Sequence, residues 1–333
     1  MPTDRLNRPA RLEATLHAVL EVLAGASTDT AAAGAGLEPA DLDAAVGLYQ
    51  QAGQHALSQQ TGPPAWRQLY IQFTDWDTAE QTAADHIAPA LKLAQEDKLI
   101  MGWWFIRKHP CWRMRLLQVP GTQFPPALAD MLDELAADGR VHRWWPGIYE
   151  PESAAFGGDT GMTIAHTLFH ADSHAVLSTA HGELGRRELS LLLCATLMRA
   201  AGLEWYEQGD VWHRVTRERP LPSDVPAAKV HAMADSLRQL LIADTSPSGP
   251  MLQSDRTLKP AVGWVSAFRQ AGRDLGTAGQ DGTLDRGLRE VISYHVIFHW
   301  NRIGLPARTQ SVLAHAAHTA ILHPAGPAER PMP

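Results

Sequence analysis

Residues 149–173 read YEPESAAFGGDTGMTIAHTLFHADS. Apolar residues recur at helical spacing from Met162 to Leu177, which predicts a long helix after a strand end and a turn at Gly157-Gly158. Glycine accepts backbone angles that a Cβ forbids, so the pair suits a tight turn. Polar side chains crowd this junction: Glu150, Glu152, Asp159, His166, His170, Asp172 and Ser173. Such a junction is either a functional site or only a capped turn, and local features favour neither explanation.

The whole chain has 333 residues, a formal net charge of −7 and an ordinary globular composition. Lysine and arginine are scattered, so we expect no nucleic-acid partner. The N-terminal residues contain no apolar signal core, and no apolar run is long enough to span a membrane. Only Cys111 and Cys194 are present, which argues against a disulfide framework. We therefore expect a cytoplasmic protein with no membrane partner.

Residues 1–62 are predicted to form a helical N-terminal extension. Apolar periodicity predicts one helix from Ala10 to Ala24 and a second from Asp41 to Leu57. The Ala/Gly-rich residues 30–36 between them predict a loose link. Pro63-Pro64 ends the region, because proline lacks an amide hydrogen and restricts the residue before it.

The next part of the chain predicts strands and helices in the order β-α-β-β-α-β. The strands are Trp66–Phe73, Leu99–Lys108, Trp112–Val119 and Val141–Glu150, and the helices are Trp76–Gln95, capped by Thr74-Asp75, and Pro126–Ala137. This order predicts a ferredoxin-like module, a mixed sheet covered by helices. Later helices are predicted at 187–201, 227–243, 263–276, 284–300 and 306–321, with a polar loop at 246–259. The predicted class is α+β with a helical C-terminal half, one domain over residues 63–323 and a disordered tail at 324–333.

Two groups of residues are candidates for chemistry on local grounds. Arg107, Arg113 and Arg115 lie on neighbouring predicted strands, and arginines on one sheet face bind carboxylate or carbonyl oxygens. A solvated sheet face is the simpler explanation for them. Tyr294, between Ser293 and His295, is either a proton donor or a core tyrosine with a paired hydroxyl.

Motifs for most other kinds of chemistry are missing. Histidine pairs occur at helical spacing, but no His-Glu-x-x-His or Cys-x-x-Cys is present, so no metal site is predicted. Gly-x-Ser-x-Gly and the glycine-rich nucleotide-binding loops are also absent. We therefore expect chemistry that needs no cofactor and no covalent intermediate.

Three stretches together resemble a known family: Trp103–Arg115, Tyr149–Ser173 and His295–Gly304. They are similar to the C-terminal domain of LanB-type lanthipeptide dehydratases and to the stand-alone "thiopeptide-type bacteriocin biosynthesis" proteins. The resemblance spans about Trp66 to Leu313. It implies a cytoplasmic tailoring enzyme that acts on a leader-bearing ribosomal peptide.

The family contains two chemistries, and the departures from its pattern distinguish them. One member type eliminates glutamate from glutamylated Ser or Thr, and the other is the thiopeptide pyridine synthase. The eliminating pattern has an Arg before the aromatic-Gly-Gly turn and a His before the Asn-Arg pair, where this chain has Ala155 and Ile297. The resemblance therefore favours the pyridine synthase, which joins two dehydroalanines in a formal [4+2] aza-cycloaddition. The alternatives are a glutamate-eliminating subunit of a split dehydratase and a non-catalytic leader-binding scaffold.

The resemblance also implies roles for individual residues. Tyr294 would donate or shuttle a proton, with Ser266 and Ser293 as supporting hydroxyls. Arg113 and Arg107 would hold carbonyl oxygens, and Gln72 would orient an amide. The predicted substrate-binding residues are Trp103, Trp104 and Trp264, which would stack on azole rings, together with Arg115 and His299.

The implied partner is a leader-bearing precursor peptide that carries azoles and dehydroalanines. An exposed sheet edge would pair with an extended leader by β-augmentation, and residues 1–62 would form part of that groove. Relatives are often dimeric, which suggests a homodimer.

Overall fold

The computed structural model describes residues 8–61, 65–178, 185–249 and 258–323. The chain divides into two units: Met1–Ala65 with Val119–Gln123, and Trp66–Gln118 with Phe124–Pro333. Pro63-Pro64, most of the predicted polar loop and the predicted disordered tail lie outside the described residues.

The first unit is helical, as predicted. It contains α1 (Arg8–Leu23), α2 (Thr28–Ala35) and α3 (Pro39–Thr61). The expectation of a loose link at residues 30–36 was wrong, because α2 occupies most of it. Ser27 Oγ accepts a hydrogen bond from the Thr30 N–H at the start of α2, and Gly36 ends it in the left-handed conformation, with φ 66°.

The larger unit contains a four-stranded antiparallel sheet. Its strands are β1 (Ala65–Phe73), β2 (Ile100–Lys108), β3 (Cys111–Gln118) and β4 (Val141–Gly147), in the spatial order β2-β3-β1-β4. The helices between them are α4 (Ala79–Thr82), a π-helical turn (Ala83–Ile87), α5 (Ala88–Glu96) and α6 (Pro126–Ala137). The predicted β-α-β-β-α-β order and the α+β class are confirmed. The sheet is antiparallel rather than mixed, because each helical crossover skips one strand.

The first helix after β1 begins at Ala79, not at Trp76. Asp75 Oδ1 accepts a hydrogen bond from the Asp77 N–H at 2.9 Å, so this acidic residue closes a turn instead of capping a helix.

The two faces of the sheet have different surroundings. Phe105, opposite Met114, belongs to the main hydrophobic core, together with residues of α5 and α6. The other face carries Trp104 opposite Arg115 and Ile106 opposite Arg113. Since side chains alternate along a strand, Arg107 points to the face opposite Arg113 and Arg115. The three arginines therefore do not share one surface.

The rest of the larger unit is helical. Its helices are α7 (Ser153–Phe156), α8 (Gly158–Ser178), α9 (Arg186–Ala200), α10 (Trp205–Glu218), α11 (Ala227–Ile242), a 3₁₀ turn (Lys259–Ala261), α12 (Val262–Gln280), α13 (Leu288–Arg302) and α14 (Ala307–Leu322). Sequence patterns missed α10, although Glu204 and Glu207 form a capping box at its start. Within the described part of the chain, no helix has the length and apolar character that crossing a bilayer requires.

The predicted glycine turn is present between α7 and α8. Gly157 and Gly158 both have φ +84°, a conformation that side chains with a Cβ rarely adopt. A Cβ on Gly161 would lie 1.8 Å from the Phe156 carbonyl oxygen. The turn and this close approach hold the start of α8 against the end of α7.

Candidate functional site

An aromatic cluster forms where β2, α7 and α8 meet. Its buried members are Trp104, Ile106, Phe156, Met162, Ala165 and Phe169, and its partly buried rim is Trp66, Tyr149, Ala155, Tyr294 and Phe298. The Phe169 ring lies 4.8 Å from Trp104 and 5.2 Å from Phe156, measured between centroids. The cluster therefore joins β2, the glycine-turn segment and α13, which carry the three stretches singled out in the sequence.

Arg115 is the buried cation of this cluster. Its guanidinium lies 4.2 Å from the Trp104 ring and 5.3 Å from the Tyr149 ring. It donates a hydrogen bond to the Arg113 carbonyl oxygen at 3.2 Å. Burial lowers the pKa of Arg115 to about 10, against the opposing charge effects of Tyr149 and Glu152. Arg115 therefore stays protonated at neutral pH and supplies positive charge under the rim.

Tyr149 and His166 form a hydrogen-bonded pair at the rim, with Oη and Nε2 2.8 Å apart. Burial raises the pKa of Tyr149, and the charge of Glu152 adds to this effect. Burial, and next the charge of Arg115, lower the pKa of His166 to about 4. Both groups are thus neutral at pH 7 and share one hydrogen bond, an arrangement suited to passing a proton.

Tyr294 is the second tyrosine of the rim. Its ring lies 6.4 Å from that of Phe156, and the Arg286 guanidinium lies 5.4 Å from the Tyr294 ring. Arg286 also donates a hydrogen bond to the Ala154 carbonyl oxygen at 3.4 Å. This contact places a phenol and an exposed guanidinium beside the segment that precedes the glycine turn.

His295, the neighbour of Tyr294 in sequence, is not available for proton transfer. Its ring lies 4.9 Å from Phe156 and is almost fully buried. Burial, and next the charge of Arg302, lower its pKa to about 3, so it is neutral at any ordinary pH. Tyr294, in contrast to His295, keeps part of its surface exposed.

A buried carboxylate, Asp172 on α8, ties four elements together behind the cluster. It accepts hydrogen bonds from Trp264 Nε1 (2.8 Å), His299 Nδ1 (3.0 Å) and Arg302 Nη1. Arg302 Nε donates to the Phe105 carbonyl oxygen on β2 at 2.9 Å. Burial alone would raise the pKa of Asp172, but His299 and Arg302 lower it below its usual value. The ionised carboxylate thus fixes α8, α12, α13 and β2 relative to one another.

Residues 66–321 match the family model described as lantibiotic biosynthesis dehydratase C-term. The chain belongs to this family. The match contains all three stretches that suggested the resemblance and confirms it. A search among curated proteins finds no match to this sequence.

Solved structures of relatives share the fold. The tRNA-dependent lantibiotic dehydratase MibB from Microbispora sp. 107891 is 20% identical, with a TM-score of 0.56, over 78% of this chain and 28% of MibB. TsrL is 15% identical, with a TM-score of 0.56, over 77% of this chain and 94% of TsrL. TbtD, the pyridine synthase of thiomuracin biosynthesis, is 14% identical, with a TM-score of 0.52, over 77% and 97%. This family member is therefore related to biosynthetic enzymes, and it spans only about a quarter of MibB.

The three predicted stacking residues lie inside this family member rather than on its surface. Trp104 forms the floor of the aromatic cluster, and Trp103 donates from Nε1 to Gln95 Oε1 at 3.0 Å. Trp264 and the predicted substrate-binding His299 both bind Asp172. Burial of all four side chains favours a structural role. Substrate stacking by these tryptophans stays a prediction that their placement does not support.

The predicted supporting residues Ser293 and Gln72 form hydrogen bonds with groups other than Tyr294. Ser293 is buried, and its hydroxyl donates to the Glu290 carbonyl oxygen of its own helix at 2.6 Å. Ser266 is exposed on α12. Gln72 Oε1 accepts a hydrogen bond from Arg143 Nε at 3.1 Å across β1 and β4. Of the predicted catalytic residues, Tyr294 lies on the rim of the aromatic cluster. The backbone carbonyl oxygen of Arg113 accepts a hydrogen bond from Arg115.

Arg107, a predicted catalytic residue, belongs to an ionic network on the opposite face of the sheet. It binds Glu80 on α4 and donates from Nε to the Arg302 carbonyl oxygen at 2.7 Å. Arg186 on α9 donates from Nη1 to the same carboxylate at 2.8 Å. The network holds the C-terminal end of α13, where carbonyl groups have no partner within the helix. This placement favours a structural role for Arg107.

Glu80 should make folding stability depend on acid pH. Burial acts to raise its pKa, but hydrogen bonds and charges from Arg186 and Arg107 outweigh burial and lower the pKa to about 2. A depressed pKa stabilises the fold above the unfolded value near 4.5, and the stabilisation is lost as pH falls toward 2. Glu80→Gln should therefore lower the free energy of unfolding at pH 7 by about 2–3 kcal/mol.

Urea unfolding of wild type and Glu80→Gln at neutral and acid pH checks this, with the difference between them shrinking below about pH 4.5. Glu96→Gln is the matched control, since Glu96 pairs with Lys92 on an exposed helix surface. It should change stability by less than about 0.5 kcal/mol. Equal effects of the two substitutions would contradict the network's role.

Sequence reasoning missed three members of the candidate site: Tyr149, His166 and Arg286. Tyr149 and His166 both lie in the stretch quoted first, but their pairing needs the strand end to return to α8. Arg286 lies 132 residues from Ala154 in sequence, in the connection between α12 and α13. Only the three-dimensional structure brings it to Tyr294.

Proposed function

We propose that this chain is a thiopeptide pyridine synthase. It joins two dehydroalanines of a leader-bearing ribosomal peptide by a formal [4+2] aza-cycloaddition and then releases water and the leader peptide. The observation that carries the proposal is the placement of the Tyr294 phenol on an apolar aromatic rim beside the Arg286 guanidinium. The likeness in fold to TbtD over nearly all of its length supports it.

The proposed reaction needs a proton transfer and close positioning more than covalent chemistry. The amide that joins the diene to the preceding residue must reach its iminol-like form, so its oxygen must gain a proton and its nitrogen must lose one. In the proposal, Tyr294 donates or shuttles this proton, and Arg286 or Arg113 holds a carbonyl oxygen. The aromatic cluster excludes water while two alkenes are held in contact, and positioning of this kind contributes roughly 7–11 kcal/mol in favourable cases. Formation of the aromatic ring drives the loss of water and leader.

The residues at the two departing positions support cycloaddition over elimination. Ala155 lies on the rim of the aromatic cluster, at the place where the resemblance puts an arginine. Ile297 is buried in the main hydrophobic core, where the resemblance puts a histidine. Neither side chain carries a charge or exchanges a proton, so neither supplies the acid–base step that elimination requires.

One observation favours the runner-up, glutamate elimination in a split dehydratase. Arg286 donates to the carbonyl oxygen of Ala154, the residue before Ala155. It thereby brings a guanidinium from another element close to the position at which the family arginine is missing. The missing histidine has no such replacement at Ile297, which is why cycloaddition remains the preferred proposal.

Mass spectrometry of the purified protein tests the proposal. The substrate is a leader-bearing peptide with azoles and two dehydroalanines, incubated without added nucleotide or metal. We expect a free leader fragment and a macrocycle whose masses together equal the mass of the substrate less one water. An unchanged peptide, together with loss of glutamate from a glutamylated analogue, would instead establish the eliminating activity. Leader binding with no product from either peptide would indicate a scaffold.

The remaining parts of the proposal concern partners. Residues 1–62 are proposed to contribute to the leader-binding groove. A homodimer is proposed because relatives are often dimeric. Size-exclusion chromatography with light scattering, with and without leader peptide, tests the homodimer and the binding of the leader.

A further inference from the structure

A row of stacked side chains crosses the sheet outside the aromatic cluster. Tyr70 on β1 and Trp145 on β4 are stacked, with ring centroids 5.2 Å apart and planes at 13°. The Arg113 guanidinium lies 5.6 Å from the Tyr70 ring, and that of Arg143 lies 4.7 Å from the Trp145 ring. We name these four residues the arginine–aromatic row. All four are partly or fully exposed.

The two arginines of the row differ from the three arginines that form ionic networks near the sheet. Arg107, Arg186 and Arg302 each bind a carboxylate. In the described part of the chain, neither Arg113 nor Arg143 has a carboxylate partner; Arg143 Nε donates only to the Gln72 side chain. Burial raises the pKa of the Cys111 thiol, and the charges of Arg143 and Arg113 act against this increase. Both guanidinium groups therefore lie near Cys111. Two unneutralised guanidinium groups therefore face the same part of the sheet.

The opposite edge of the sheet offers no comparable surface. On β2, the Phe105 N–H donates to Ser173 Oγ at 3.1 Å, and the Phe105 carbonyl accepts from Arg302 Nε. His170 Nδ1 lies within hydrogen-bond distance of both the N–H and the carbonyl oxygen of Trp103. Side chains of α8 and α13 thus occupy the backbone groups through which an added strand would pair. The predicted β-augmentation has no room at β2.

We propose that the arginine–aromatic row binds an acidic segment of the peptide substrate; the proposal rests on the proposed function in taking a peptide as the partner. Guanidinium groups over aromatic rings remain free to bind carboxylates in pairs of hydrogen bonds. Arg113 and Arg143 stem from strands on either side of β1, so they are separated by about two strand spacings, roughly 10 Å. Carboxylates two or three residues apart in an extended peptide match that separation.

Charge favours a short acidic peptide over a nucleic acid as the occupant. The chain carries a formal net charge of −7, which repels a polyanion at long range. Two guanidinium groups satisfy two carboxylates, whereas a nucleic acid would bring a charge with every nucleotide. The exposed parts of the Tyr70 and Trp145 rings also offer apolar surface to peptide side chains.

Fluorescence polarisation tests the proposal without any turnover. The probe is a labelled peptide of alternating Asp and Ser, and its neutral counterpart has Asn in place of Asp. We expect the acidic probe to bind wild type at least tenfold more tightly than the neutral one. Arg113→Ala/Arg143→Ala should weaken acidic-probe binding at least tenfold. Arg67→Ala, on the other face of β1, removes an exposed arginine that hydrogen-bonds Gln118 and should change it less than twofold.

Three outcomes overturn the proposal. Equal loss in the Arg67 variant would show general charge attraction only. Tighter binding of a single-stranded RNA oligonucleotide than of the acidic peptide would make the row a nucleic-acid site. A change in sedimentation from dimer to monomer in the double variant, with peptide binding intact, would make it a contact between copies. Because the probe has no dehydroalanine, its binding is independent of whether the chain makes a pyridine, and circular dichroism confirms folding of each variant.

Discussion

Asparagine in place of Asp172 is expected to lower the free energy of unfolding by roughly 3–5 kcal/mol, the largest stability effect we predict. Asp172 is 0% exposed and Arg302 is 1% exposed. Removing the carboxylate charge leaves the Arg302 guanidinium buried without a counter-ion, because its remaining contacts are a backbone carbonyl and two aromatic rings, which are all neutral. A single buried, unpaired charge is far less stable than a buried pair.

Urea unfolding of the variant measures this effect, with the midpoint shifted and the slope preserved if the fold is unchanged. Asp133→Asn is the matched control, because Asp133 also accepts a hydrogen bond from a tryptophan, Trp144 Nε1, but at the surface. It should change stability by less than about 1 kcal/mol. A second variant, Asp172→Asn/Arg302→Met, removes both charges and should recover part of the loss. Equal destabilisation by the single and double variants would contradict the ion-pair argument.

The same network bears on Trp264 and His299, which the resemblance assigned to substrate binding. Helical periodicity places a residue on a buried face, but it does not say which polar group meets it there. Asp172 lies 92 residues from Trp264 and 127 residues from His299 in sequence. Its carboxylate accepts hydrogen bonds from Trp264 Nε1 and His299 Nδ1 within the core. Polar residues in an otherwise apolar helix are therefore equally consistent with a functional site and with an internal hydrogen-bond network.

Local patterns were sufficient where the structure depends on neighbouring residues. The glycine turn at Gly157-Gly158 and the long helix after it are local features, and both are present. The predicted helix Pro126–Ala137 has the same bounds as α6. The faces of β2 and β3 depend instead on the hairpin register, which pairs Arg107 with Trp112. The predicted alternation within each strand is correct. Alternation does not show, however, which residues of the two strands lie opposite each other.

In the candidate site, too, the residues near the quoted stretches could be found from the sequence, and a residue from a distant segment could not. Tyr149 begins one of the stretches that the sequence singled out, Tyr294 directly precedes another, and both lie on the rim. Arg286 was not predicted, since a lone exposed arginine in a connecting segment has no pattern of its own. Chemistry assembled from distant segments thus needs the tertiary structure, even where most secondary elements are predicted.

Phenylalanine in place of Tyr294 is expected to slow pyridine formation at least 100-fold while leaving the fold intact, since general acid–base groups contribute about 10²–10⁴ to a rate. The substitution removes only the hydroxyl, and the ring keeps its contact with Phe156. Tyr206→Phe is the control, because Tyr206 is 71% exposed on α10. Conversion of the dehydroalanine peptide, followed by mass spectrometry over time, gives the rates.

A third variant makes the assignment specific. Tyr149 is also on the rim, and its hydroxyl pairs with His166. If Tyr294 is the proton donor, Tyr149→Phe should retain a much larger share of the activity than Tyr294→Phe. Loss of activity in Tyr149→Phe with full activity in Tyr294→Phe would transfer the proton step to the Tyr149–His166 pair. Full activity in both would show that neither rim phenol moves the proton, and the reaction would then depend on positioning by the aromatic cluster alone.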